Sequence, residues 1–380
     1  MSNLALAALL VTEIAVGGGE RGPWQQNDSR YDYVDDPAVA LDEEGRAAVA
    51  WVDQGRKDVF FDGVNVSRSP ATFSWLPRIA LAGNRVYVLW QEIIFSGGSH
   101  GGEILFARSE DGGKTFSEPL NLSESAAGDG KGRITPDLWH NGSLDLALGP
   151  GGAVYAAWTE YEGALWFRRS TDGGATFAPR VKIQDATPAR APSLAVTGRT
   201  VHLAWTDGDI HVATSTNGGA SFGEPVLATR SRAYTDAPRI ALDATGTLHL
   251  AYAQDSRVLY TRSRDGGRTF EQARAISRPG GGFPALGIDG ANRVYVTYEL
   301  FPQRQQRPRG LGIVVSQDGG RIFSPPEPVP GSADPAGAPN GSFQGLLMQK
   351  LAVNRRGDVA VVNSSLEDGK RSRVWLMRAR

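Results

Sequence analysis

The 380-residue chain has no cysteine, three methionines, five histidines, and no apolar run long enough to cross a bilayer. Without cysteine it can form no disulfide, no thiolate nucleophile and no Cys-ligated zinc site. Charge of one sign is also missing: 40 basic residues against 41 acidic ones leave a net −1, so no overall field points to nucleic acid or to an anionic membrane. No segment carries convincing helical periodicity. The apolar N-terminal LALAALLV is short and has no Lys or Arg before it, which fits a strand better than a signal peptide. Exported bacterial proteins often manage without disulfides, and an extracellular or periplasmic location is the expectation.

What the chain does have is glycine (47), proline (22) and a repeated text. SEDGGKTF starts at Ser109, STDGGATF at Ser170, STNGGASF at Ser215, SRDGGRTF at Ser263 and SQDGGRIF at Ser316, at intervals of 45 to 61 residues. Before each lie two alternating apolar stretches and a third strand running into the turn, as in IALAGNRVYVLWQE followed by EILFARSEDGG. The first two stretches recur seven times, beginning near Val39, Ile79, Leu146, Leu194, Ile240, Leu286 and Leu351. A period of this length, many short strands and no helix predict an all-β fold, a seven-bladed β-propeller spanning 1–380 as one domain. Its units start near residues 36, 76, 143, 191, 237, 283 and 345. The seventh unit ends at RVWLMRAR with no fourth strand, so a strand at about 6–17 is expected to complete it and close the ring.

In the repeated turn the Asp can accept backbone N–H groups, the glycines allow positive φ, and the Phe can plug apolar space beneath. Those roles make the turn scaffold. No turn has the alternating ligand ladder of a calcium loop. The five turns resemble the Asp-box, or BNR, repeats of the sialidase superfamily, over nearly the whole chain. The resemblance implies a propeller and, for a true sialidase, an arginine triad for a carboxylate, an acid–base Asp and a Tyr–Glu nucleophile pair. LPRIAL (76–81) and APRIAL (237–242) reverse the family's R-I-P order, so Arg78 and Arg239 match it in part and a third arginine has no assignment. The familiar ring has six blades, which is the alternative count here.

In an antiparallel meander the boxes, as third-to-fourth turns, fall on one face of the disc. The lengthened connections fall on the other: 21–36, 95–103, 123–142, 301–310 and 331–343. Long loops on a rigid scaffold usually carry function. Whatever recurs in every blade is architecture and whatever breaks the pattern is a candidate. Trp51, Trp90, Trp158, Trp205, Tyr252 and Tyr298 recur as packing, and Asp53, Glu92, Glu160 and Asp207 recur two residues later. His202, His211 and His249 lie within strand patterns, whereas His100 and His140 fall in long connections, where a His can move protons near neutral pH. With Asp137, Glu160, Tyr161 and Glu162 they form the candidate catalytic set. The candidate substrate-binding set is Arg78, Arg133, Trp139, Arg190, Arg232, Tyr234, Asp236, Arg239 and Arg304, since guanidinium groups grip carboxylates and aromatic rings stack on sugars. No HxH or HExxH spacing occurs, so neither metal nor cofactor is expected. These residues point to a monomeric carbohydrate-active enzyme, a glycoside hydrolase or polysaccharide lyase acting on a glycan, with an acidic glycan the expectation. A noncatalytic glycan-binding or protein-binding propeller is the alternative.

Overall fold

The computed structural model describes residues 9–23, 28–96, 99–124, 144–160, 163–185, 187–230, 233–303, 306–341 and 347–379, with side chains throughout except at 94–102 and 379. Seven four-stranded antiparallel sheets follow one another along the chain. Their first strands are Val34–Leu41, Phe73–Ala82, Leu144–Leu148, Arg190–Thr197, Thr235–Leu242, Gly281–Ile288 and Leu351–Val353. Each first strand packs against that of the next sheet, and the seventh sheet packs on the first, so the sheets are blades of a closed ring. The fold is a seven-bladed β-propeller.

Closure is made by the chain's two ends. Leu9–Gly17 pairs antiparallel with Arg371–Ala379 and is the fourth, outermost strand of blade 7. Residues 6–8 of the expected strand lie outside the described residues. The connection at 21–36 holds a short ribbon that the sequence pattern did not predict, Glu20–Arg21 paired with Tyr31–Asp32. The stretch at 95–103, expected as a loop, is a continuation of blade 2: Arg85–Ser96 and Ser99–Ser109 pair out to Ser96 and Ser99.

All five repeated turns close the same way. In the first, Ser109 Oγ donates to Asp111 Oδ1 (2.7 Å) and accepts from Gly113 N (2.9 Å), while Asp111 accepts Thr115 N (2.9 Å) and Thr115 Oγ1 (2.7 Å). The turns at Asp172 and Asp265 repeat this pattern in full; those at Asn217 and Asp318 keep the Ser and backbone bonds, with Asn217 Nδ2 donating to Ser221 Oγ and Ile322 bringing no hydroxyl. The Ser and Thr donors hold the carboxyls of Asp111, Asp172 and Asp265 far below the usual carboxylate range. The turn also joins blades. Its Phe meets an aromatic on the third strand of the preceding blade edge to face: Phe61–Phe116, Phe106–Phe177, Phe167–Phe222 and Tyr260–Phe323, with centroids 4.8 to 5.6 Å apart. The second glycine is what lets the ring in, since a Cβ on Gly219 (φ +76°) would stand 2.6 Å from the Phe167 ring. The blade 4 to blade 5 joint departs from the rule. Val212 takes the aromatic's place, and an open recess of about 340 Å³ lies there against His202, Thr214 and Asp265.

Candidate active site at the axis and a neighbouring cleft

The opposite face is shaped by a second repeat. Asp36, Leu76, Ala191, Ala237 and Phe283 each precede a proline, each has φ between 47° and 53°, and at each the pairing of first and second strand slips. A non-glycine residue in the left-handed region costs about 1–2 kcal/mol. These bulges lie where the chain crosses into a blade, and bulges re-aim the residues beside them. The next residue but one has an equivalent in every blade, which in blade 7 lies one residue before the first strand. In blade order it is Ala38, Arg78, Asp145, Ser193, Arg239, Ala285 and Lys350.

Three of the charged members meet. Arg78 of blade 2 and Arg239 of blade 5 each donate to the carbonyl oxygen of Leu347, at 2.6 Å, and Arg78 Nε lies 3.8 Å from Asp145 Oδ1. Leu347 belongs to the crossing into blade 7, so atoms from several parts of the ring converge, which fixes the place as the axis. Gln349 continues the seam by bonding both the amide and the carbonyl of Ile79. Burial lowers Arg78 to about 10, helped by the nearby Arg239 charge, and lowers Arg239 as well. Burial likewise raises Asp145 in spite of both guanidinium groups.

Asp36 stands beside this cluster. Its Oδ2 accepts Leu76 N at 3.4 Å and its Oδ1 has no partner among the described residues. Burial, and then the Asp35 carboxylate, push its proton affinity well above that of an ordinary Asp. A carboxyl whose proton affinity is raised by burial is equipped to be a general acid.

Lys350 is turned elsewhere. It pairs with buried Glu299 and with Asn363 Oδ1 (3.0 Å), and Asn340 bonds the same Asn363. By register Asn363 occupies the position filled by the recurring Trp or Tyr of the other six blades. A buried polar network therefore replaces an aromatic in blade 7.

Between blades 5 and 6 a cleft of about 540 Å³ opens on the same face, walled by Tyr234, Phe283 and Phe301, with Asp236 at the entry to the blade 5 bulge. Tyr234 is half exposed and carries the Arg190 guanidinium 4.7 Å from its ring centre. The Asp236 charge acts on Arg239, so the cleft adjoins the axial cluster.

Solved structures share this architecture. An α-L-arabinofuranosidase from Fusarium graminearum, in complex with an iminosugar inhibitor, matches with a TM-score of 0.54 at 15% identity, over 80% of this chain and 92% of that one. The NanB sialidase of Streptococcus pneumoniae matches at 0.52 and 10% identity, over 80% of this chain and 68% of that one. YCF48 bound to D1 peptide matches at 0.50 and 14% identity over the full length of both chains. The chain has the sialidase-like propeller fold. No family model matches the sequence, and no curated protein does.

On this sialidase-like propeller the predicted site residues are distributed unevenly. Arg78 and Arg239 come together; Tyr234 and Asp236 line the cleft, with Arg190 against Tyr234. Glu160 stands apart: it is paired with Arg180 (3.1 Å), which stacks on Trp166 and donates to the Ser123 carbonyl, making a strut to the crossing from blade 2. Glu92 and Asp207 do the same with Thr72 and Thr187 of their own crossings. His100 lies on the extended hairpin of blade 2, opposite Phe95. Arg133, Asp137, Trp139, His140, Tyr161, Glu162, Arg232 and Arg304 lie outside the described residues. Sequence reasoning passed over Asp145, Phe283, Phe301 and the Glu299–Lys350 pair. Among the described residues no group of three or more His, Asp or Glu is arranged to hold a metal, and no helix is long and apolar enough to cross a membrane.

Proposed function

We propose that the chain is a carbohydrate-active enzyme, a glycoside hydrolase working at the axis of the loop-rich face. The observation that carries the reading is the convergence of Arg78 and Arg239 on one oxygen. Two buried guanidinium groups aimed at a single acceptor make a site for a substrate carboxylate or for charge developing on oxygen. An acidic glycan suits it. Asp36 supplies the proton to the leaving oxygen, and Asp236, at the inner end of the cleft, is the partner carboxylate that a two-carboxylate hydrolysis needs. The fold comparisons agree with a glycan-acting propeller, since the arabinofuranosidase and the sialidase are glycoside hydrolases. A polysaccharide lyase would instead take its base from His100 or His140 beside an arginine that neutralises a uronate.

The test is a panel of neutral and uronate-containing glycans assayed for new reducing ends and for unsaturated uronate absorbance, with the protein and its Asp36→Asn and Asp236→Asn variants. Turnover that yields reducing ends without absorbance, and that drops at least a hundredfold in either variant, supports the hydrolase. Absorbance at full rate in both variants turns the reading to a lyase. Binding without turnover on every member of the panel would leave a noncatalytic glycan-binding propeller, and neither binding nor turnover a protein-binding one.

A further inference from the structure

The cleft between blades 5 and 6 exists because one blade lacks a side chain that the others have. The residue just before each bulge is Asp35, Trp75, Arg190 and Asp236 in blades 1, 2, 4 and 5, but Gly282 in blade 6. Gly280 and Gly281 precede it, so the crossing into blade 6 is bare backbone. Phe301 lies on that backbone: its amide donates to the Gly280 carbonyl at 2.8 Å, and a Cβ on Gly282 would stand 3.1 Å from its ring. The vacated space is walled by Phe283 and Phe301, whose ring centres are 6.1 Å apart, and by Tyr234.

We infer that this cleft is a subsite for a neutral sugar residue of an oligosaccharide chain whose reacting end lies at the axis. The inference rests on the proposed glycan-acting role of this face and adds where the chain runs and what one of its residues is. Aromatic faces bury the apolar C–H face of a sugar ring, while Gln254, Gln303 and Ser256 stand at the cleft to bond hydroxyl groups. The blade 5 turn beside them, Asp255 and Ser256, holds two non-glycine residues at φ 51° and 57° where glycine or asparagine would be less strained. That strain keeps two polar side chains at the rim. The charge of the cleft decides the sugar's class. Its described lining holds Asp236 and Asp255 and no Lys, Arg or His, which repels a carboxylate or sulfate. Among the described residues Arg190 is held on the Tyr234 ring outside the lining, whereas Arg78 and Arg239 converge at the axis. An acidic group on the substrate therefore belongs at the axis, and the residue in the cleft is uncharged. A cleft of about 540 Å³ takes one to two rings.

The experiment is binding by calorimetry to xylo-, arabino-, gluco-, galacto- and manno-oligosaccharides of one to six units, and to uronate oligomers of the same lengths. It uses the full chain and the variants Phe301→Ala and Gly282→Trp, with melting midpoints as a folding control. Gly282→Trp copies the residue that blade 2 carries at the equivalent place and fills the cleft, with the Phe301 ring, 3.1 Å from the new Cβ, giving way. The expected result is affinity for at least one neutral series that grows with length, and a loss of roughly tenfold in each folded variant for chains of three or more units. Monosaccharide binding at the axis is unchanged. Unchanged affinity for the longer neutral chains in either folded variant would overturn the subsite, as would a stronger loss for uronate chains than for neutral ones. If the variants bind normally but Asp36→Asn still abolishes turnover, the subsite alone is wrong; if no series is bound or cleaved, the glycan reading falls with it.

Discussion

The joint between blades 4 and 5 offers a test of what holds the ring together. Four of the five repeated turns drive their Phe edge-on into an aromatic of the preceding blade; the fifth faces Val212 and leaves a recess of about 340 Å³. The substitution Val212→Phe should fill it. The geometry has a precedent one blade on, where His249, the counterpart of His202, lies beside Tyr260 with ring centres 6.0 Å apart. Four added carbons at ~0.8 kcal/mol each would contribute about 3 kcal/mol if fully buried, and about half that in a recess open to solvent. An edge-to-face pair with Phe270 adds about 1 kcal/mol, and ordering the ring costs up to about 1 kcal/mol. The net gain is about 1–2 kcal/mol. For a chain of this length the unfolding entropy is roughly 0.8 kcal/mol per degree, so the melting midpoint rises by about 2 °C. The mirror experiment is Phe167→Ala at the blade 3 to blade 4 joint, where a fully buried ring leaves a cavity worth about 3–5 kcal/mol and the midpoint falls by about 4–6 °C. Both are read by calorimetry and urea titration. A midpoint lowered by Val212→Phe, or one left unmoved by Phe167→Ala, would show that these aromatic contacts are not what couples the blades.

Three further changes act on other parts of the ring. His202 is buried with a pKa lowered to about 4, so the unfolded chain takes up a proton near 6.5 that the fold refuses; stability present above pH 6.5 is lost as pH falls to 4, by up to about 3 kcal/mol. His202→Gln should flatten that window in urea midpoints measured at pH 7 and pH 4.5, and an unchanged pH slope would exclude His202 as its source. Lys350→Met strands the buried Glu299 carboxylate and is expected to cost about 3–5 kcal/mol, read as a fall in urea midpoint, whereas a loss under 1 kcal/mol would mean that Asn340 alone compensates the charge. Deleting residues 1–17 leaves Arg371–Ala379 with an unpaired edge, so size-exclusion chromatography should show association and the melting transition should broaden; a monomer with an unaltered melt would contradict closure by strand addition.

Much of the fold was legible because a repeat writes its own periodicity. The Ser-Asp-Gly-Gly-Phe turns fix where each third strand ends, and the alternating stretches before them fix the blades, so ring and closure followed. The extended hairpin of blade 2 was not legible. FSGGSHGGE reads as a glycine-rich loop, yet it continues the pairing of the strands on either side, because glycines tolerate extended backbone as readily as turns. The candidate site was legible only in outline. Arg78 and Arg239 were visible as paired motifs, but nothing in their surroundings said that a carbonyl from the crossing into blade 7 would hold both, since that contact joins positions 108 and 269 residues apart in sequence. The cleft was hidden for a simpler reason. It is made by what Gly282 lacks, and a missing side chain shows only once register has set it beside Asp35, Trp75, Arg190 and Asp236.

The two repeats of this molecule place their costs differently, and the difference indicates which face works. Within the five repeated turns the positive-φ positions are glycines and the carboxyls are satisfied by hydroxyl and amide donors, so the geometry is nearly free of strain. On the other face five non-glycine residues are held left-handed before proline, at about 1–2 kcal/mol each. Their sum, about 5–10 kcal/mol, is comparable with the whole stability of an ordinary domain. The bulge itself recurs and is architecture, but what it presents does not recur: alanine in two of the five blades, serine in one and arginine in two. A position selected for packing alone would be apolar and similar all round the ring, since burying charge there carries a desolvation cost. Strain that is repeated, presenting residues that are not, is the arrangement expected of a scaffold that aims different groups at one centre.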